Sequence, residues 1–307
     1  MIFIVLEMSG MCLKSLIIYF SYALYLYHLY LADMDFKLSN GFFDLCINVS
    51  DKNTVYLKSI LLKLYQMGYR TVALNQIVNE NVFDTDKKKK KKGGDENKEL
   101  PSTVPDPIDV SKLNEEFEGK LCILNRITFV CSDSMKTHTL AHCASLKKYN
   151  LYAIVPNSQS MLQFACSQIN ADLITIRPSV SGIKMNRKLY QQAVERGLSF
   201  EIQYADLLQP ETRKMAIYYS HLFYSYGKSR NVIISSGANN INRIRNPYDI
   251  INLGPLLGLN EEKSKEAILK QSQLLLLRAE RRRCGKAVFT VEFTNESTED
   301  MSDEERL

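Results

Sequence analysis

Residues 121–177 read LCILNRITFVCSDSMKTHTLAHCASLKKYNLYAIVPNSQSMLQFACSQINADLITIR. Leu121–Cys131, Tyr152–Pro156 and Asp172–Arg177 are short runs dominated by apolar and β-branched residues, the pattern of strands. Between them, Met135–Tyr149 and Gln159–Ile169 are predicted as helices. A repeated β-then-α order requires parallel strands, because each crossover returns the chain to the same edge of a sheet. Strands that read as nearly continuous apolar runs are those covered by helices.

The same alternation extends outward. Phe43–Val49 (FDLCINV) is predicted as a strand, with Asp51 as N-cap of a helix to about Met67 and Gly68 as its C′ residue. Thr71–Val78 is the next strand. Downstream come a helix over Asn186–Arg196 closed by Gly197, a strand over Ser199–Tyr204, and a helix from Pro210 to about Tyr226 ended by Gly227. A strand at Asn231–Ser236, a long helix at Glu261–Arg282 and a last strand at Lys286–Phe293 complete the order. About eight strands and seven or so helices predict an α/β fold, a closed (β/α) barrel. An open doubly wound sheet is the alternative, but no strand–helix turn carries GxGxxG.

The chain has 307 residues, 45% apolar and 24% charged, which excludes collagen-like, wholly disordered and multi-span membrane classes. Its seven cysteines include no CxxC pair, so a reducing compartment is expected rather than a disulfide framework. The net charge of +5 is unevenly distributed: Glu292–Leu307 carries seven acidic residues against Arg306, leaving a basic body suited to a polyanion partner. Three units follow: a hydrophobic N-terminal extension over 1–38, one barrel domain over 39–285, and a last strand with an acidic tail over 286–307. The barrel is interrupted at 84–112, where Lys87–Lys92, paired glycines and prolines cannot build a core, so a disordered insertion is expected. Ser15–Ala32 contains only His28 as an ionisable non-tyrosine group and fits either a membrane anchor or an upstream extension foreign to the functional protein.

Functional groups of a parallel barrel gather at the carboxyl ends of its strands. Those ends hold Cys46, Asn48, Asn75, Gln76, Ser132, Asp133, Asn157, Arg177, Tyr204, Asp206, Ser235, Ser236 and Asn239. No histidine and few carboxylates are among them, so a multi-metal hydrolase centre lacks ligands. His138 and His142 have ligand spacing, but HTLAH lacks the glutamate of HExxH, and ordinary helix histidines are expected. Cys46 reads as a small filler within a strand, and no catalytic constellation emerges. Basic residues do recur after strands: Arg177, Lys184, Arg187, Lys188, Arg213, Lys214, Lys228, Arg230, Arg243 and Arg245. If they converge on one rim they form a surface for a phosphate backbone; otherwise they are a solvated exterior.

Six ordered segments carry a resemblance. FFDLCINV (Phe42–Val49), GYRTVALNQIV (Gly68–Val78), LNRITFV (Leu124–Val130), RGLSFEIQY (Arg196–Tyr204), NVIISSGA (Asn231–Ala238) and IRNPYDIINLGPLLGL (Ile244–Leu259) resemble the thirty-kilodalton protein subunit of ribonuclease P and ribonuclease MRP. The resemblance implies a barrel like that of the polymerase-and-histidinol-phosphatase metallohydrolases, related to the TIM barrel. It implies a nuclear and nucleolar protein that assists an RNA catalyst in removing the 5′ leader of precursor tRNA, with no catalytic residue, metal or cofactor of its own. A metal-dependent phosphoesterase of the hydrolase type is the alternative. The metallohydrolases carry an HxH motif at the end of their first strand, where Cys46 and Asn48 stand here. The expected partners are the RNAs of both enzymes, a small Pop-family subunit, other ribonuclease P proteins and precursor tRNA as substrate, but no membrane. Arg245 is expected to contact phosphate with Asp249 orienting it; Arg126, Arg177, Arg187, Arg196, Arg213, Lys228 and Arg243 are further RNA-binding candidates.

Overall fold

The computed structural model describes residues 41–49, 54–83 and 104–284. The hydrophobic N-terminal stretch, the Asp51 cap, the lysine run, the expected last strand and the acidic tail lie outside the described residues. In chain order the elements are β1 (Phe42–Asn48), α1 (Thr54–Gln66), β2 (Tyr69–Asn79), α2 (Ser111–Glu116), β3 (Cys122–Cys131), α3 (Ser134–Ala141), β4 (Leu151–Pro156), α4 (Gln159–Ser167) and β5 (Leu173–Thr175). They continue with α5 (Arg187–Glu195), β6 (Ser199–Gln203), α6 (Ala205–Leu208), α7 (Pro210–Gly227), β7 (Val232–Ser235), α8 (Pro247–Leu253), α9 (Glu261–Ile268) and α10 (Lys270–Cys284). Each strand pairs in parallel with the next one in sequence, in the order β1 to β7. The ring is nearly closed by a parallel bridge between Ile47 and Ala238, where Asn48 N donates to Ala238 O at 2.8 Å. The expected (β/α) barrel is therefore present, with seven strands among the described residues.

Local chemistry places the helices. The side chains of Asp133, Ser158 and Asn186 accept backbone N–H bonds from Met135, Met161 and Leu189, starting α3, α4 and α5. Gly68 and Gly197 take left-handed backbone (φ +92° and +85°) after α1 and α5, as their C′ assignment predicts. After α7 the left-handed residue is Lys228 (φ 54°), not Gly227. Gly227 is required for another reason: a Cβ there would run into the Tyr190 ring.

Two predicted helices are shorter than expected. Met135–Tyr149 divides into α3 and a 3₁₀ turn at Ala144–Lys148, and Glu261–Arg282 breaks at Leu269 (φ −123°, ψ −90°). The second break lets α9 bury Ala267 and Ile268 against the outer helices while α10 turns beneath the barrel. There Leu275, Leu276 and Ala279 pack on Phe43, Leu45, Leu151, Leu173 and Ile233, sealing the end from which the strands start. Residues 104–112, read from sequence as part of the insertion, are held to the barrel at points along an otherwise exposed stretch: Val104 is buried, Tyr149 Oη donates to Pro105 O at 2.9 Å, and Asn125 Nδ2 donates to Ile108 O at 3.0 Å. Among the described residues no helix is long and apolar enough to cross a membrane.

Candidate functional site

Alternate residues of each strand point into the barrel, so its interior is layered. Above the apolar floor lies an ionic layer. Arg126 from β3 and Glu201 from β6 form a two-pronged ion pair at 2.5 and 2.7 Å, with both side chains 0% exposed. Glu201 also accepts from the Thr175 hydroxyl at 2.5 Å and the Ser235 hydroxyl at 2.7 Å. Arg126 donates further to Leu45 O at 2.8 Å and Thr128 Oγ1 at 3.2 Å. Burial works against both charges, but mutual attraction and these hydroxyls hold the Glu201 carboxyl below the usual range. Asp44 is different: burial pushes its carboxyl up to about 6, and its Oδ2 has no partner, although Oδ1 accepts from Ser236 N at 2.9 Å.

The layer nearest the strands' carboxyl ends is polar and opens as a pocket of about 180 Å³. Asn48, Asn75, Gln203, Arg177, Asp206 and Arg243 are among its lining residues. Gln209, with its amide turned to suit both partners, accepts from the two Nη atoms of Arg243 at 2.9 and 3.2 Å. Arg177 is half-buried and its guanidinium forms no hydrogen bond or ion pair with any described residue; burial lowers its pKa and Asp206 is its strongest opposing charge. Burial pushes the Asp206 carboxyl up to about 6.

This mouth does not fit a divalent metal. Cys46 is fully buried, which raises its thiol pKa, and its sulfur is already engaged: Sγ donates to Asn48 Oδ1 at 3.7 Å and accepts from Gln203 Nε2 at 3.4 Å. Asn48 is spoken for at both ends, with Nδ2 donating to Gly237 O at 2.8 Å and Oδ1 accepting from Asn75 Nδ2 at 2.7 Å. Among the described residues no group of three or more His, Cys, Asp or Glu side chains is placed to hold a metal ion. His138 and His142 lie ring to ring, 4.7 Å between centroids, at the end of α3 away from the mouth.

The basic candidates divide into three groups. Arg177, Arg187, Arg213, Arg243 and Arg245 lie where strands end or helices begin, at the open end of the barrel. Arg196 and Lys228 follow the ends of α5 and α7, at the opposite face, so the candidates do not share one rim. Arg126 is inside and cannot touch RNA, which corrects its assignment as a contact.

Two others are committed to the fold. Arg196 donates to the carbonyls of Ala165, Cys166 and Ile169 at 3.3, 3.1 and 2.6 Å, closing the end of α4. Arg213 donates to Leu207 O at 2.7 Å and Leu208 O at 3.5 Å, tying α7 to α6.

Lys228 is exposed and lies 4.6 Å over the Tyr224 ring, and Arg187 is exposed on the first turn of α5. Arg245 Nη1 donates to Asn242 O at 2.7 Å and Ile244 O at 3.1 Å, leaving its other guanidinium nitrogens without a described partner. Asp249 is exposed in the first turn of α8 and forms no ion pair with Arg245, so it does not orient that side chain directly. The sequence reading missed Glu201. Its signal is a carboxylate at the centre of a strand (SFEIQ) whose alternate positions, Ser199, Glu201 and Gln203, are polar and share one face, between apolar Phe200 and Ile202 on the other.

Comparison with known proteins gives consistent matches. A model of the family described as RNase P subunit p30 matches residues 41–284. Ribonuclease P protein subunit p30 of Mus musculus is 29% identical over 243 residues, covering 76% of this chain and 84% of the mouse protein. Ribonuclease P/MRP protein subunit RPP1 of Saccharomyces cerevisiae is 24% identical over 238 residues, 74% of this chain and 75% of the yeast protein. A chain of an archaeal ribonuclease P solved with mature tRNA superposes with a TM-score of 0.56 at 16% identity, covering 84% of this chain and all of that one, a likeness of fold. A histidinol phosphate phosphatase of Lactococcus lactis aligns more loosely, with a TM-score of 0.46 at 12% identity over 74% of this chain and 94% of that one. The family match spans every strand of the barrel and the helix that seals it: the chain belongs to the RNase P subunit p30 family.

Proposed function

We propose that this chain is an RNA-binding protein subunit of ribonuclease P and ribonuclease MRP that supports RNA-catalysed removal of the 5′ leader from precursor tRNA. The match of the family model across residues 41–284 carries the reading. The chain supplies cations and a rigid barrel and leaves bond cleavage to the RNA. The donor set at the barrel mouth supports a protein without a nuclease centre of its own: the sulfur of Cys46 and the amides of Asn48 and Asn75 are bonded to one another and to neighbouring groups, and among the described residues no cluster of His, Cys, Asp or Glu stands ready for a metal. The open-end arginines, Arg177, Arg187, Arg243 and Arg245, are its proposed RNA contacts. In this reading the protein resides in the nucleus and nucleolus, pairs with a small Pop-family subunit, and serves rRNA processing through the MRP particle.

The purified chain alone is expected to leave precursor tRNA uncut, while its depletion from cells makes 5′-extended tRNAs accumulate. Cleavage by the isolated chain after nuclease digestion of any accompanying RNA overturns the reading. Imaging of the full chain tests the compartment: nucleolar enrichment is expected, and carbonate-resistant membrane association contradicts it.

A further inference from the structure

The pocket at the barrel mouth is sized for an ion rather than a cofactor. Its volume of about 180 Å³ falls below the roughly 300–1,000 Å³ of small-molecule sites. Its charged lining is two guanidinium groups, Arg177 and Arg243, against one carboxylate, Asp206. A metallohydrolase mouth collects anionic ligands around cations; this one presents cations to whatever enters.

Arg177 is the second observation. A guanidinium has five N–H donors, and here none meets an acceptor among the described residues although the side chain is half-buried. The amides around it are already engaged: Gln203 Nε2 donates to Glu201 Oε2 at 3.0 Å, and Asn48 and Asn75 bond to Gly237 and to each other. A half-buried guanidinium with no acceptor among the described residues keeps all its N–H donors free for an incoming oxyanion, and planar N–H forks suit phosphate oxygens.

We propose that the barrel mouth is an oxyanion site that takes a single phosphate group between Arg177 and Arg243. This deepens the RNA-subunit reading and rests on it for the source of the phosphate, which is either an RNA phosphate or a free one. Asp206 opposes the anion, and its carboxyl, pushed up to about 6, is readily neutralised by a proton when the anion binds.

The test titrates inorganic phosphate into the full chain by calorimetry and ³¹P NMR, at ionic strength held constant with chloride. Wild type is expected to bind phosphate. R177Q and R243Q are each expected to weaken it about tenfold or more, and D206N to strengthen it. Arg243 stands on a turn outside the barrel wall, so R243Q keeps the test decisive if R177Q fails to fold. In parallel, the affinity of the full chain for ribonuclease P RNA is measured with each variant. Loss of RNA affinity in R177Q and R243Q identifies an RNA phosphate as the occupant; loss of phosphate binding with RNA affinity intact identifies a free phosphate. Absence of phosphate binding by wild type, together with RNA affinity unchanged in both arginine variants, overturns the site. Failure of the wild-type chain to bind RNA at all overturns the subunit reading instead, and the phosphate titration still decides the pocket.

Discussion

Arg126 and Glu201 hold opposite walls of the barrel through one ion pair with no water access. Removing one partner of such a pair strands the other charge, which costs about 3–5 kcal/mol. Arg126→Met and Glu201→Leu are each expected to lose that much stability in urea denaturation, whereas the double variant recovers most of it. Equal loss in the double and single variants contradicts the pairing. Asp44 and Asp206 set the response to pH. Burial raises both carboxyls from 3.8 to about 6, so between pH 4 and 6 the folded state binds protons that the unfolded chain does not. Their contribution to stability is complete below about pH 4 and lost as pH rises through 6. The urea midpoint is therefore expected to be higher at pH 5 than at pH 7, with a smaller difference in D206N. At this scale the sequence misleads most. Arg126 looks like any strand-borne cation until Glu201, seventy-five positions later, is known to face it, and no local pattern connects the two.

The elements were more legible, because caps and periodicity are local properties. Asp133, Ser158 and Asn186 start helices within a residue or two of where apolar spacing begins, and Gly68 and Gly197 close α1 and α5. The break at Leu269 was not legible: its cause is the barrel floor, which α10 must turn under to reach. The apolar pattern of Glu261–Arg282 is helical on both sides of that point, so only the tertiary target reveals the corner. Leu275 is fully buried in the floor. Leu275→Ala is expected to cost about 2–5 kcal/mol, the range for large-to-small core changes, in the same denaturation assay. A surface residue of α10 such as Arg281 is expected to tolerate Ala within about 0.5 kcal/mol.

For the whole molecule, the two ends of the barrel predict different behaviour toward RNA. Neutralising a phosphate contact reduces the slope of log affinity against log salt by about one unit. Arg245→Gln at the open end is expected to do so in filter binding with ribonuclease P RNA. Arg196→Gln is expected to leave the slope unchanged but to destabilise the fold, because its guanidinium closes α4 at the sealed end. The reverse pattern would move the RNA to the other face. The ring itself has a temporal consequence. Its seam joins Ile47 to Ala238, near opposite limits of the barrel's chain, and contacts of such separation form late because long loops must be ordered first. A nascent polypeptide on the ribosome cannot complete the cylinder until the Ala238 region has emerged from the exit tunnel. Until then the β1 edge stays open, a window in which a chaperone has the most to protect.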